Sequence, residues 1–200
     1  MKEALLESNL RWAAAQIRSD PDYFRTIAGA GLPRLFWIGC CDSHIPAHTL
    51  IGLSPGQVCE YRSLANMALG GDLAFAAALQ HAVEALRVEQ VVVCGHYTCA
   101  AIRASLDDPG YSVFDHWSEP LHALARRHEA TLAAVADADA RANVLSELNV
   151  AGQVAQIARN PIVRMARKRG QKLSVHGVML SHQDGLLRDL GLSAASQSGA

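Results

Sequence analysis

Three short apolar segments, separated by stretches with helical periodicity, most constrain the fold of this chain. They are "RLFWIGC" at 34–40, "QVVVCGH" at 90–96 and "KLSVHGVML" at 172–180, and "QVCEYR" at 57–62 is a fourth candidate strand. The Ala- and Leu-rich segment 72–89 repeats apolar residues at helical spacing and leads directly into the second of them. Apolar strands that alternate with helices are typical of parallel sheets. We therefore predict an α/β fold with a mostly parallel central sheet flanked by helices.

The two ends of the chain differ in pattern from this α/β body. Residues 3–30 show two amphipathic helical segments, broken near 19–24, which predicts an N-terminal helical arm over 1–30. The tail 193–200, "SAASQSGA", is predicted to be disordered. The sequence has 200 residues, the usual size of one domain, and contains no long linker. We therefore predict a single domain over 1–192.

Charge and hydropathy exclude several classes of protein. Hydrophobic residues make up 50% of the sequence and charged residues 18%, as in globular proteins. The net charge of −1 does not favour nucleic acid, so we expect no nucleic-acid partner and disfavour a zinc-knuckle module. No stretch approaches the ~20 apolar residues that span a bilayer, and the N-terminus lacks the apolar region of a secretory signal. We therefore expect no membrane partner and a cytoplasmic location, where cysteines are thiols or metal ligands.

Cysteine and histidine side chains lie where two of the predicted strands end. Cys40 closes the first strand, His96 closes the strand at 90–96, and Cys99 follows three residues later. In open parallel sheets, ligands bind outside the carboxyl ends of the strands. Two thiolates and one imidazole, with a fourth position open, are the pattern of a catalytic zinc site. The sequence therefore predicts a zinc site made of these three side chains.

Cys41 is the alternative to its neighbour Cys40 as a ligand. Successive side chains near a strand end point to opposite sides. Cys40 and Asp42 then share a direction, whereas Cys41 faces away. We therefore favour Cys40 as the ligand and interpret Cys41 as a packed thiol.

Two motifs on these strands resemble the zinc-binding motifs of the β-class carbonic anhydrases. "FWIGCCDSHIPA" (36–47) and "VVVCGHYTC" (91–99) are similar to the Cys-x-Asp-x-Arg and His-x-x-Cys hallmarks of that family. The similarity covers most of the chain and continues through "GLSPGQ" (52–57), "YRSLAN" (61–66), "SELNV" (146–150), "KRGQKLSVHG" (168–177) and "DGLLRDL" (184–190). The resemblance implies a Zn²⁺ cofactor held by Cys40, His96 and Cys99. It also implies a homodimer, often paired into a homotetramer, whose N-terminal helices wrap the partner.

The resemblance also implies a function. Members of the family catalyse the reversible hydration of CO₂ to bicarbonate by zinc-bound hydroxide, so the chain is predicted to be a carbonate dehydratase acting on CO₂ and bicarbonate. The catalytic carboxylate of the family corresponds to Asp42. Two alternatives stay open: a zinc-dependent hydrolase of carbonyl sulfide or carbon disulfide, and a zinc-binding relative with little or no activity.

His44 stands where the family has an arginine that holds the catalytic carboxylate away from the metal. A guanidinium is a permanent, forked donor, whereas a neutral imidazole donates one hydrogen bond. We hypothesise that His44 holds Asp42 less firmly, so that Asp42 often ligates zinc and the enzyme is slow. A surface or dimer-interface position and a role as fourth ligand are the other interpretations of His44.

Some members of the family bind bicarbonate as an effector through a tryptophan, an arginine and a tyrosine. Trp37 and Arg62 match the first two, whereas Leu180 replaces the tyrosine, which weakens the case for an effector site. The remaining histidines, His182 among them, show no ligand spacing with the predicted site and are assigned no role.

Overall fold

The computed structural model describes residues 1–107 and 110–194. Its strands are Leu35–Cys40 (β1), Val58–Ser63 (β2), Gln90–His96 (β3), Ser174–Leu180 (β4) and Leu187–Ala194 (β5). Its α-helices are Lys2–Ser19 (α1), Tyr23–Ala28 (α2), Ala47–Leu50 (α3), Leu73–Gln80 (α4), Ala100–Ala104 (α5), Val113–Trp117 (α6), Glu119–Arg127 (α7), Glu129–Ala133 (α8), Ala138–Arg159 (α9) and Pro161–Lys168 (α10). A 3₁₀ turn spans Leu64–Asn66, and a π-helical turn spans His81–Ala85. Within the described residues, no helix has the length and hydropathy needed to cross a bilayer.

One sheet joins the five strands in the order β2-β1-β3-β4-β5. The first four strands of this order run parallel, and β5 pairs antiparallel with β4. The predicted mostly parallel α/β sheet is confirmed, and each of the four predicted strands overlaps an observed one. Parallel pairing of β1 with β3 places the carboxyl ends of both strands at one edge of the sheet.

The sequence analysis missed β5 and ended the sheet at 172–180. The sequence of β5, "LRDLGLSA", mixes two charged residues and one glycine with apolar ones, and its side chains are only partly buried or exposed. An edge strand has one free side and buries little, so its apolar pattern is weak. Ser193 and Ala194 belong to β5, so the prediction of a disordered tail from 193 is wrong for these two residues. Residues 195–200 lie outside the described residues.

Alternate residues of β3 pack on different sides of the sheet. Val91 and Val93 lie in a large apolar core that includes Val150 of α9. Val92 and Cys94 lie in a smaller core with Trp37. Apolar cover on both sides is what a parallel sheet requires. Polar chemistry is therefore concentrated at the ends of the strands.

Helices α1 and α2 form the predicted N-terminal arm. Neither helix contains a buried residue. Trp12 of α1 contacts the rings of Tyr23 and Phe24, with centroid distances of 6.4 and 5.7 Å. These edge-to-face contacts hold the two helices together. The arm leaves several large apolar side chains exposed, among them Leu6 and Leu10.

Candidate metal centre

The three predicted metal ligands lie together at the carboxyl edge of the sheet. The possible ligand atoms of Cys40, His96 and Cys99 all lie within 4.8 Å of one another, and all three residues are buried. The two sulfur atoms are 3.9 Å apart. Cys41 is outside this cluster, as predicted, but its side chain is exposed, so the interpretation of Cys41 as a packed thiol is wrong. The choice of Cys40 over Cys41 is therefore supported by the position of each thiol.

The ring of His96 is oriented for binding a metal through one nitrogen. Its Nδ1 donates to the carbonyl oxygen of Tyr97 at 3.0 Å. Its Nε2 is buried and has no hydrogen-bond partner among the described residues. Metal-binding histidines commonly donate their second ring nitrogen to a carbonyl, which fixes the free nitrogen as the ligand. A buried imidazole nitrogen left unpaired beside two thiols fits zinc, so the residues present match the cofactor that the family implies.

Backbone amides and the neighbouring thiol stabilise the thiolate of Cys40. Its Sγ accepts hydrogen bonds from the amides of Asp42 at 3.3 Å and Ala65 at 3.2 Å. The hydrogen bond between the two thiols lowers the pKa of Cys40, against the opposite effect of burial, and raises the pKa of Cys99. Burial raises the pKa of Cys94 to about 12, so this core thiol stays protonated. The hydrogen bonds to its Sγ therefore favour the thiolate of Cys40, which is the form that binds a metal.

The loop between His96 and Cys99 holds an unusual backbone conformation. Thr98 has a φ of 59°, which a β-branched residue rarely adopts. Its amide donates to Oδ1 of Asn143 at 2.9 Å, and the Tyr97 hydroxyl donates to Glu147 at 2.8 Å. Both acceptors lie on α9, so this helix holds the loop in the form that turns Cys99 towards Cys40. Strained backbone of this kind is concentrated at functional sites.

Two further polar side chains of α9 hold the segment that follows β2. Asn149 donates to the carbonyl oxygen of Ala65 at 2.8 Å, and Oε1 of Gln153 accepts from the amide of Ala68 at 3.0 Å. Ala65 has a φ of 50° and directs its amide to Cys40. The sequence analysis assigned no role to Asn149 or Gln153. Their polarity within an apolar helical pattern was the available signal, but their partners lie more than eighty residues away.

The side chain of Asp42 lies at the site but is weakly held. It is half-buried, and its Oδ2 accepts from the amide of Ala100 at 3.3 Å. His44 is exposed, and its ring lies beside that of His182, with centroids 5.6 Å apart. A hydrogen bond between His44 and Asp42 is not among those formed by the described residues. The chain thus lacks, at position 44, the donor that would fix the Asp42 carboxylate.

His182 is a site residue that the sequence analysis missed. It lies in the turn after β4, and its ring centroid is 4.9 Å from that of His96. Burial lowers the pKa of His182, and the nearby His96 and His44 lower it further. The position just after a parallel strand was the signal that could have found it, because the ends of β1, β3 and β4 share one edge.

Arg62 and Trp37 lie behind the metal centre, lining one small cavity. Arg62 donates to the carbonyl oxygen of Cys40 at 2.8 Å and also to that of Ser43. It forms an ion pair with Glu60 at 3.2 Å. The guanidinium therefore ties the segment from Cys40 to Ser43 to β2 and is already paired with a carboxylate.

The adjacent thiols Cys40 and Cys41 provide a matched test of the metal site. We expect Cys40→Ser to reduce zinc affinity by more than about tenfold, because changes outside the ligand set alone cost ~10–100-fold. Cys41→Ser makes the same chemical change one residue away and is expected to bind zinc like wild type. Competition with a chromophoric chelator measures both. Loss of zinc in Cys41→Ser, or retention in Cys40→Ser, would contradict the assignment.

Comparison with known proteins agrees with this geometry. The sequence model described as "Carbonic anhydrase" matches residues 35–187. A carbonic anhydrase of Emericella nidulans is 33% identical over 190 residues, covering 95% of this chain and 83% of the relative. The crystal structures of tetrameric β-carbonic anhydrases from Sordaria macrospora include a chain that superposes on this one with a TM-score of 0.88. The two sequences are 33% identical, and the match covers 96% of this chain and 98% of that chain. A Coccomyxa β-carbonic anhydrase in complex with acetazolamide has a TM-score of 0.86 at 34% identity over 94% of this chain and 85% of that one. The chain therefore belongs to the β-carbonic anhydrase family.

Proposed function

We propose that the protein catalyses the zinc-dependent, reversible hydration of CO₂ to bicarbonate. The observation that carries this proposal is the buried cluster of Cys40, His96 and Cys99 in a chain of this family. No feature of the described residues favours carbonyl sulfide or carbon disulfide as the substrate, and the weak restraint on Asp42 is the one feature that would fit a relative with little activity.

Each ligand side chain has a distinct task in this reaction. Held by Cys40, His96 and Cys99, zinc supplies the Lewis acidity that makes water a nucleophile near neutral pH. The two cysteines balance the charge of the metal, and His96 is fixed by its bond to the Tyr97 carbonyl. The apolar neighbours of Cys40 and Cys99, such as Ile102, exclude bulk water from behind the site. Ligand orientation is thus set before substrate arrives.

We propose Asp42 as the catalytic carboxylate. Its Oδ2 is bonded to the Ala100 amide, which leaves Oδ1 to accept a hydrogen bond from the reacting water. A carboxylate that accepts this bond orients the water and can act as the general base, accepting the proton that the water loses. A single amide contact at 3.3 Å is a weak restraint on the rotation of Asp42.

Stopped-flow measurement of CO₂ hydration tests the function directly. Zinc-loaded wild type is expected to accelerate hydration, and Cys99→Ala, which lacks one ligand, is expected to fall to the uncatalysed rate. Turnover of carbonyl sulfide without CO₂ hydration would support the hydrolase alternative. Confirmed zinc binding without turnover of either substrate would support a non-catalytic relative.

His44→Arg tests how the weak restraint on Asp42 affects turnover. We propose that His44 leaves the carboxylate free to turn towards the metal and block it. A charged hydrogen bond contributes ~1.5–3 kcal/mol, so His44→Arg is expected to raise kcat/KM for CO₂ by about tenfold. His44→Gln, which adds no charge, is the control and is expected to match wild type. An arginine variant no faster than wild type would overturn this role of His44.

For Arg62 we propose a positioning role rather than the binding of a bicarbonate effector. Its hydrogen bonds to the carbonyl groups of Cys40 and Ser43 hold the loop that carries Asp42. Its charge is already balanced by Glu60, and Trp37 is packed in the apolar core with Leu180. An effector anion would have to displace Glu60 from the guanidinium. Effector binding by Trp37 and Arg62 stays a prediction from the family resemblance.

We propose that the protein assembles as a homodimer or homotetramer through its N-terminal arm. Leu6 and Leu10 lie one turn apart on α1 and are 51% and 68% exposed. Exposed apolar side chains on one face of a helix mark a surface for association. The Sordaria macrospora relatives are described as tetrameric. The cytoplasmic location and the absence of nucleic-acid and membrane partners stay predictions from the sequence.

Charged residues on this face of the arm are expected to weaken assembly. The double variant Leu6→Asp with Leu10→Asp is expected to raise the dimer dissociation constant by at least about tenfold, since burying one leucine contributes ~1.5–3 kcal/mol. Ser8→Asp with Asn9→Asp adds the same charge elsewhere on α1 and serves as the control. Analytical ultracentrifugation measures both. Equal assembly by the two double variants would contradict a role for the apolar face.

A further inference from the structure

A tight turn between β4 and β5 fixes His182 at the metal centre. The amide of Ser181 donates to the Leu186 carbonyl at 3.0 Å, and the amide of Gly185 donates to the Ser181 carbonyl at 2.8 Å. Asp184 accepts from the Leu186 amide at 3.0 Å. Gly185 has a φ of 72°, which glycine adopts without strain. Hydrogen bonds within this turn therefore fix the position of His182.

The ring of His182 lies between the metal ligand and the surface. Its centroid is 4.9 Å from that of His96, with the rings inclined at 57°. On the other side it is 5.6 Å from the exposed ring of His44. His182 therefore lies on one side of the site, between His96 and the exposed His44.

One ring nitrogen of His182 forms no hydrogen bond with the described residues. Its Nε2 is buried and has no hydrogen-bond partner among the described residues. A buried polar atom without a partner is destabilising, so folded proteins contain few such atoms. The nitrogen is not a member of the cluster that could hold the metal, which contains Cys40, His96 and Cys99. This nitrogen is therefore available to a molecule other than the metal.

We propose that His182 is a substrate-positioning residue whose Nε2 hydrogen-bonds bicarbonate beside the metal centre. This inference rests on the proposed function. Bicarbonate carries both a hydroxyl donor and oxygen acceptors, so it pairs with either tautomer of an imidazole. This hydrogen bond selects small oxyanions and orients the carbon atom of bicarbonate beside His96.

Binding of bicarbonate to the cobalt-loaded protein tests this role without measuring turnover. Visible absorption of bound Co²⁺ reports the arrival of an anion at the site. His182→Phe keeps a flat ring against His96 and removes both ring nitrogens. A neutral hydrogen bond contributes ~1 kcal/mol, so the dissociation constant for bicarbonate is expected to rise about fivefold. His182→Gln, which can donate and accept, is expected to recover most of the affinity.

His176→Phe is the matched control. This histidine lies on β4, and its Nε2 already bonds to Ser174 at 2.8 Å, so bicarbonate affinity is expected to stay at the wild-type value. Unchanged bicarbonate affinity in His182→Phe would overturn the inference while leaving the proposed function intact. A tenfold loss of Co²⁺ affinity in His182→Phe would also overturn it, because His182 would then be a ligand. Failure of the wild-type protein to bind bicarbonate would overturn the inference and the proposed function together.

Discussion

Parallel pairing of β1 with β3 is the constraint on which the metal centre depends. The last pair of this ladder joins Ile38 to Val93, so Cys40 and His96 lie two and three residues beyond it, where β1 pairs only with β2 and β3 only with β4. Neither strand could slip by one residue, since that would turn Cys40 and His96 away from each other and move the core valines of β3 to the other side of the sheet. Apolar packing on both sides of the sheet thereby sets the distance between the first two ligands.

Helix α9 holds the two loops that place atoms at the metal centre. It packs along β3 and β4 with an apolar stripe and at the same time directs polar side chains at two loops. Asn143 holds the left-handed turn at Thr98, and Asn149 holds the left-handed turn at Ala65. Each turn costs backbone energy, and each places an atom against the metal centre: Sγ of Cys99 and the amide that donates to Cys40. One helix therefore couples core packing to the geometry of the site.

The sequence predicts those parts of the structure that are determined locally. β1 and β3 are apolar runs that end in ligand residues, so both the strands and the three ligands could be inferred before the structure. β5 could not, because an edge strand buries little and its pattern is mixed. The roles of Asn149 and His182 depend on contacts with segments far away in the chain, which no spacing in the sequence reveals. The orientation of His44 towards His182 likewise required the structure.

His44, at the position where the family resemblance implies an arginine, and His182 lie in the same small region. The carboxylate of Asp42 accepts from the Ala100 amide and has no bond to His44, and Nε2 of His182 has no partner among the described residues. The amides of Asp42 and Ala65 continue to stabilise the thiolate of Cys40. The ligand Cys40 is thus held by several hydrogen bonds, whereas Asp42 and His182, which are proposed to handle substrate, are held by few.

X-ray absorption spectroscopy of the zinc-loaded protein tests the central claim most directly, since it counts the sulfur atoms bound to the metal. The account predicts two sulfur ligands at about 2.3 Å and two lighter ligands at ~2.0–2.2 Å. The Cys41→Ser variant should give the same spectrum as wild type. One sulfur ligand, three sulfur ligands, or a loss of sulfur on changing Cys41 would contradict a site formed by Cys40, His96 and Cys99.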